Sequence, residues 1–282
     1  GFGQSASPVA EAAGEGAASD PRMTITDGST APAEGAGEGL GESRSAWRAS
    51  FTAWIWVVGM EGTAGARGRK ADVSASFGDI LDASDSLFAF SGRLEVGSGS
   101  LGGFFDGMYS SLGVDDQTTP NGAGSVDVTN DIVLLDFGLS YRLGEWEPGG
   151  DAARNSRDIS VDLYAGARYT HLELELDPAN FDPVSKSVDW FDPIVGGKLM
   201  LPISERWHLA VNGDIGGFGA GSDFTWSATG VFGYDFHLGK MRTTASVGYR
   251  AIGQDYSEGS GSDEFTWDII QHGLLFGLTL HF

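Results

Sequence analysis

A strict two-residue alternation at the end of the chain constrains the fold more than any other feature. One parity carries Ile270, His272, Leu274, Phe276, Leu278, Leu280 and Phe282, and the other carries Gln271, Gly273, Leu275, Gly277, Thr279 and His281. Because successive side chains of a β-strand point to opposite faces, this segment predicts a strand between two different environments. A soluble sandwich and a closed barrel both satisfy the pattern, so the remaining strands must decide between them.

The same alternation recurs along the chain and predicts ten strands. Their approximate ranges are 47–60, 87–96, 101–111, 126–143, 159–169, 188–201, 207–215, 224–236, 245–250 and 265–282. Residues 61–81 are predicted to form an outer loop, with a short helical turn where Phe77, Ile80 and Leu81 share a face.

The lengths of the connections favour a barrel over a sandwich. The joins after strands one, three, five, seven and nine are mostly long and acidic, whereas those after two, six and eight are only a few residues. An up-and-down barrel with short turns at one end and long loops at the other predicts this alternation and an even number of strands. The join after the fourth strand is the exception. The predicted fold class is therefore all-β, a closed antiparallel up-and-down transmembrane β-barrel of about ten strands.

Composition excludes several classes of function. The net charge of −22 argues against nucleic acid as a partner, because phosphate binding needs clustered cations. The absence of cysteine excludes thiol catalysis and cysteine-ligated metal. No stretch approaches the roughly 20 consecutive apolar residues of a membrane-spanning helix. No signal peptide is visible, so we expect the mature form of the chain.

The first 44 residues differ from the rest of the chain. They are rich in Gly, Ala, Glu, Ser and Pro and carry few large apolar side chains, so they cannot bury enough surface to fold alone. We predict a low-complexity periplasmic tail over 1–44 and a barrel domain over 45–282. A neighbouring subunit or the barrel mouth could order this tail.

Two features resemble a known group of proteins. A final strand that closes on Phe282, with Phe276, Leu278 and Leu280 at alternate positions before it, resembles the terminal strand of Gram-negative outer-membrane β-barrels. Segments 165–169, 213–219 and 221–226 resemble poorly characterised barrels grouped with the OmpA-like and porin-like proteins. The resemblance implies an outer-membrane location, and it implies that Phe276, Leu278, Leu280 and Phe282 form the signal read by the barrel assembly machinery. It supplies no catalytic residues.

If the aliphatic and aromatic parity faces lipid, the opposite parity lines the lumen. The charged residues on that parity are Arg93, Glu95, Asp106, Asp136, Arg142, Asp162, Arg168, Asp192, Lys198, Asp214, Asp235 and Arg250. Eight strands leave a bore that side chains just fill, so ten strands should leave little space. Nearly balanced charges in that space are expected to pair, because an unpaired buried ion is costly. A narrow, weakly cation-preferring pore is the alternative.

Catalysis and metal binding are not predicted. Asp235-Phe236-His237 is similar to the Asp-x-His pair of omptin-type outer-membrane proteases, but it falls at a short turn rather than at the outer rim. The five histidines lack ligand spacing. The acidic loops could hold divalent cations that bridge to lipopolysaccharide phosphates. No cofactor is predicted.

The predicted function is that of an outer-membrane barrel with a largely plugged lumen. Its role would be structural or lipid-interacting, its partners outer-membrane lipids and lipopolysaccharide, and its assembly state homo-oligomeric. A narrow porin-like channel for ions or small solutes is the alternative, and an adhesin or receptor working through the outer loops is a third hypothesis.

Overall fold

The computed structural model describes residues 47–66, 69–83, 86–118, 125–147, 158–178 and 184–282. The chain divides into two units, Gly1–Ser43 and Arg44–Phe282. The predicted tail over 1–44 lies outside the described residues, so the following description concerns the second unit.

The second unit is built almost entirely of antiparallel strands. The strands are β1 (Arg48–Ala66), β2 (Arg69–Ala75), β3 (Ser86–Ser98), β4 (Leu101–Thr118), β5 (Ser125–Trp146), β6 (Ile159–Pro178), β7 (Val184–Pro202), β8 (Trp207–Gly217), β9 (Phe224–Leu238), β10 (Met241–Glu258) and β11 (Phe265–His281). One α-helix, α1 (Phe77–Ala83), joins β2 to β3, and a 3₁₀ turn (Gly261–Asp263) lies between β10 and β11.

The strands follow one another around a closed sheet. The order is β11-β10-β9-β8-β7-β6-β5-β4-β3-β1-β2, and β11 also pairs with β1 along nearly its whole length. Among the described residues β2 pairs only with β1, so ten strands close the barrel. The predicted closed up-and-down barrel is therefore confirmed.

The closing strand behaves as its alternation predicts. Phe276 pairs with Ile55 and Leu278 with Ala53, and both large side chains of β11 are exposed on the outer face. The backbone ladder extends to the last residue, since the amide of Phe282 donates to the carbonyl of Ala49 at 2.9 Å.

Several strands extend further than the sequence predicted. The acidic segment 173–182 begins inside β6, which runs to Pro178, and the acidic segment 255–264 begins inside β10, which runs to Glu258. Residues 69–75, predicted as loop, form β2. In β6 the alternation of Leu172, Leu174 and Leu176 with glutamates continues toward the strand end, so the acidic residues lie within the ladder rather than in a loop. The predicted helical turn is confirmed as α1.

The outer face of the barrel is apolar and the interior is mixed. Large apolar side chains exposed on the outer face include Phe51, Ile55, Phe88, Phe90, Leu94, Phe105, Phe137, Leu139, Leu163, Phe191, Val195, Val211, Ile215, Phe232, Val247, Leu274, Phe276 and Leu278. An apolar surface of this extent is unusual for a protein in water. None of the described helices is long and apolar enough to cross a bilayer.

Candidate functional site in the barrel interior

The centre of the interior is occupied by Arg168, which projects from β6 and is completely buried. Its guanidinium makes a bidentate pair with Asp136 of β5, with Nε to Oδ1 at 2.8 Å and Nη2 to Oδ2 at 2.9 Å. It also donates to Asp214 of β8 at 3.1 Å and to Thr225 of β9 at 2.9 Å. One side chain therefore links four strands across part of the bore.

A second arginine enters the same layer from the opposite wall. Arg250 of β10 donates to Asp106 of β4 at 3.0 Å, and its Nη2 lies 3.8 Å from Asp136. Asp106 and Asp136 are direct cross-strand neighbours, an arrangement in which like charges repel. The arginines offset that repulsion, so the two carboxylates and the two guanidiniums form a single layer across the barrel.

The layer continues toward the end of the barrel that carries the short turns β3–β4, β7–β8 and β9–β10, here called the turn end. Arg93 lies 3.6 Å from Asp106 and donates to Glu95 at 2.9 Å. Lys198 of β7 donates to both carboxylate oxygens of Glu95 at 2.9 Å. Within the described chain, eight of the twelve predicted interior residues are linked in this network: Arg93, Glu95, Asp106, Asp136, Arg168, Lys198, Asp214 and Arg250.

Three of the other four predicted residues lie near the turn end, and the fourth, Asp192, is the cross-strand neighbour of Arg168. Arg142 and Asp162 pair with each other near the turn end, with Nε to Oδ1 at 2.6 Å. Asp235, also near the turn end, accepts from Thr244 at 2.6 Å and lies 3.3 Å from Arg242.

Asp192 differs from the predicted pairing. It accepts hydrogen bonds from uncharged donors, the indole Nε1 of Trp190 at 3.0 Å and the backbone amide of Ser222 at 2.6 Å. Both Asp192 and Ser222 are fully buried. Asp192 therefore anchors the β8–β9 loop rather than joining the ion pairs. The sequence could not show this because the loop must fold back to reach it.

The half of the interior beyond the charged layer is largely apolar, with a few buried polar side chains such as Gln254 and Thr170, and the sequence interpretation missed this. The buried cluster there includes Trp56, Met108, Ile132, Leu134, Leu172, Val188, Trp190, Ile252 and Tyr256. Trp190 and Tyr256 stack at 4.1 Å with an interplanar angle of 6°. The signal was present, because these residues continue the inward parity of the predicted charged residues: Leu134 and Ile132 follow from Asp136 in steps of two.

Two small cavities lie on the turn-end side of the charged layer. The larger, about 160 Å³, is bordered by Arg142, Asp162 and Lys198, and the smaller, about 40 Å³, by Asp136, Asp214 and Arg250. Arg93, Phe104 and Tyr164 border both cavities. The guanidinium of Arg93 lies 4.8 Å from the ring centroid of Phe104, and that ring meets Tyr164 edge to face at 5.3 Å. These three side chains narrow the bore between the cavities.

The described residues contain no group of three or more His, Asp or Glu side chains placed to hold a metal ion. Asp235, from the sequence that is similar to the omptin Asp-x-His pair, lies beside the β9–β10 turn, and its register partner is Thr244. The interior carboxylates are engaged by arginine, lysine, hydroxyl or indole donors. This arrangement ties strands together across the bore.

No protein-family model matches the chain, and no curated protein sequence matches it. Among solved structures, the chain is similar to the translocator domain of the autotransporter NalP from Neisseria meningitidis, with 13% identity and a TM-score of 0.30, over 86% of this chain and 91% of that one. It is also similar to a Pseudomonas aeruginosa FadL homologue, with 9% identity and a TM-score of 0.26, over 84% and 90%. The assignment of the fold is based on the pairing of the strands and not on these similarities.

The class of protein follows from the architecture. The ten strands pair one with the next around a closed circuit, and the barrel presents large apolar side chains outward and charged side chains inward. That combination reverses the distribution expected in water and is typical of barrels that cross a membrane. The chain is a β-barrel of the outer-membrane type.

Proposed function

We propose that this protein resides in the outer membrane of a Gram-negative bacterium as a barrel closed by its own side chains, with a structural or lipid-interacting role and no catalytic activity. The observation that carries the proposal is the central charged layer. Arg168 and Arg250 enter it from opposite walls and meet carboxylates on three other strands. Beyond this layer the interior is packed with apolar side chains.

Conductance measurements test the closed bore. The full chain is reconstituted into planar bilayers, with insertion checked by the altered gel mobility of a folded barrel. We expect no steady conductance from the native chain. Reproducible conductance that changes when Arg168 or Asp106 is neutralised would contradict a closed bore.

A narrow channel for ions or small solutes is the second candidate function, and the two neighbouring cavities favour it. Arg93, Phe104 and Tyr164 border both cavities, and aromatic and arginine side chains can change rotamer. If the bore conducts, Phe104→Ala should raise the conductance because it widens this narrow point. An exposed outer-face substitution, Phe105→Ala, is the matched control.

We also propose homo-oligomerisation and contacts with outer-membrane lipids and lipopolysaccharide. The broad apolar outer face supports lipid contact. Native mass spectrometry in mild detergent tests the assembly state, and the detection of monomers alone would contradict homo-oligomerisation.

We further propose that recognition by the barrel assembly machinery depends on Phe276, Leu278, Leu280 and Phe282. Phe282→Ala should slow membrane assembly in cells while leaving refolding into vesicles unchanged.

A further inference from the structure

The wall of the barrel is interrupted at one place among the described residues. The β1–β3 ladder ends at the pair Trp54 and Ser91, yet β1 continues to Ala66 and β3 begins at Ser86. Residues 55–59 of β1 pair with β11 along one edge, but no described strand pairs with their other edge. Residues 86–90 of β3 likewise pair only with β4. These two segments border what is called here the β1–β3 window.

The window is closed above and below. The Trp54–Ser91 pair marks its lower border. Its upper border is formed where β2 pairs with Met60 of β1 and leads into α1. The backbone there approaches β1 closely, because a Cβ on Gly59 would lie only 2.9 Å from the carbonyl oxygen of Ala75. The break is therefore a bounded opening in the wall.

Apolar side chains flank the window on its outer side. Ile55, Phe88 and Phe90 are 70%, 61% and 59% exposed. In the membrane placement proposed above, these side chains contact hydrocarbon. Unpaired backbone amides and carbonyls do not face hydrocarbon without a polar partner, because each costs several kcal/mol, on the order of the desolvation of an amide. A ligand at the window must therefore offer both an apolar chain and a hydrogen-bonding head group.

Buried donors behind the window specify that head group. The indole Nε1 of Trp56, the hydroxyl of Ser91 and the Nε of Arg250 are buried and have no hydrogen-bond partner within the described protein. All three residues are more than nine-tenths buried. The Arg250 guanidinium lies 5.3 Å from the Trp56 ring centroid. Ser91 pairs across the ladder with Trp54, which precedes Trp56 by two residues on the same face of β1. Indole and guanidinium groups can only donate, so the missing partner is an acceptor.

We propose that the β1–β3 window binds a single-chain amphiphile with an anionic acceptor head group, such as a long-chain carboxylate. The head group accepts from Trp56, Ser91 and the free strand edges, and the acyl chain lies along Ile55, Phe88 and Phe90. The Nε of Arg250, which has no hydrogen-bond partner within the described protein, adds a charge-assisted hydrogen bond that favours a carboxylate over an alcohol. This proposal rests on the membrane placement above and adds a ligand site to it.

Photolabelling of the reconstituted full chain tests the site. Phosphatidylcholine vesicles containing the protein are doped with a long-chain fatty acid that carries a diazirine near the carboxyl end, or with the fatty alcohol of equal length. Adducts are mapped by mass spectrometry of peptides. We expect the fatty acid to label residues 55–59 and 88–90 above the general level of the outer face, and the alcohol to label that face evenly.

Variants separate the head-group contact from simple exposure. Trp56→Phe and Ser91→Ala each remove one donor and should reduce the window adducts of the fatty acid. Trp207→Phe, an exposed indole beside the β7–β8 turn, should leave them unchanged. Gel mobility of each variant reports folding, and Ser91→Ala removes the least volume, so it serves as the test if Trp56→Phe fails to fold.

The outcomes distinguish this site from the proposed function. Even labelling by both probes, or window adducts that survive both donor variants, would overturn the site and leave the membrane placement intact. Absence of adducts anywhere on the outer face would overturn the membrane placement and the site together. A protein cross-linker applied to the same vesicles provides a further test: cross-links from the window to residues 1–46, together with no lipid adducts at the window, would show that the chain's own N-terminal segment fills the opening and would also overturn the lipid site.

Discussion

Removing the central arginine should be far more damaging than removing a surface arginine. Arg168→Met keeps the approximate length of the side chain but deletes four hydrogen bonds and the charge. Asp214 would keep its bonds from Tyr164 at 3.0 Å and Ser227 at 2.5 Å. Asp136 would lose its bidentate partner and keep only the Arg250 guanidinium at 3.8 Å.

The expected loss in the free energy of unfolding comes from Asp136, which is left without its bidentate partner. Leaving one member of a buried ion pair without its partner costs about 3–5 kcal/mol, and we expect Arg168→Met to fall in this range because Asp136 stays buried and charged. Arg48→Met is the control. Its pair with Glu145 is 3.9 Å long with half-exposed side chains, and such a pair contributes only about 0–1 kcal/mol.

Urea unfolding of the chain refolded into vesicles, followed by tryptophan fluorescence, measures both free energies of unfolding. Adding Asp136→Asn to Arg168→Met should recover part of the loss, because the second change removes the stranded charge and its repulsion with Asp106. Equal losses for Arg168→Met and Arg48→Met, or no recovery in the double variant, would refute the assignment of a buried, mutually compensated layer.

Three further outcomes follow from other parts of the barrel. Leu139→Arg, on the outer face, should cost up to about 2–4 kcal/mol in vesicles, and Ser140→Arg, which faces the larger cavity, should cost less; equal costs would mean that the faces are wrongly assigned. Hydrogen bonds from Ser76 lower the pKa of Asp79 at the start of α1. Protection of the α1 amides in hydrogen exchange should therefore be complete above the ordinary pKa range of aspartate and should fall as the pH drops through the lowered pKa. In Asp79→Asn this pH dependence should be absent. Gly217 has a φ of 85°, and a methyl group there would lie 2.7 Å from a backbone oxygen of its own loop. Gly217→Ala should therefore cost about 1–3 kcal/mol in urea unfolding. Gly219→Ala is the control and should cost less, because no atom lies within 4 Å of the added methyl group.

The outward face of the barrel could be predicted because it depends on local alternation. Phe137 and Leu139 share a parity opposite Asp136 and Ser140, and the structure places the first pair outside and the second pair inside. Strand ends were less predictable. Leu172, Leu174 and Leu176 alternate with Glu173 and Glu175, but the acidic side chains were interpreted as a loop. The backbone pairing of this segment with β5 and β7 shows that it belongs to β6.

The alternation of side chains by itself determined the strands, the apolar outer face and the twelve charged residues of the inward parity, because the pleat of a strand sends neighbouring side chains to opposite sides. The sequence predicted a closed barrel only when the lengths of the connections were added to that alternation. Only the tertiary structure decided which of those charges meet. Arg250 and Asp106 are far apart in the sequence, and their contact depends on the register of every strand between them. The β1–β3 window also arose there, since a ladder ends where two strands diverge in space, and no single strand's sequence records that divergence.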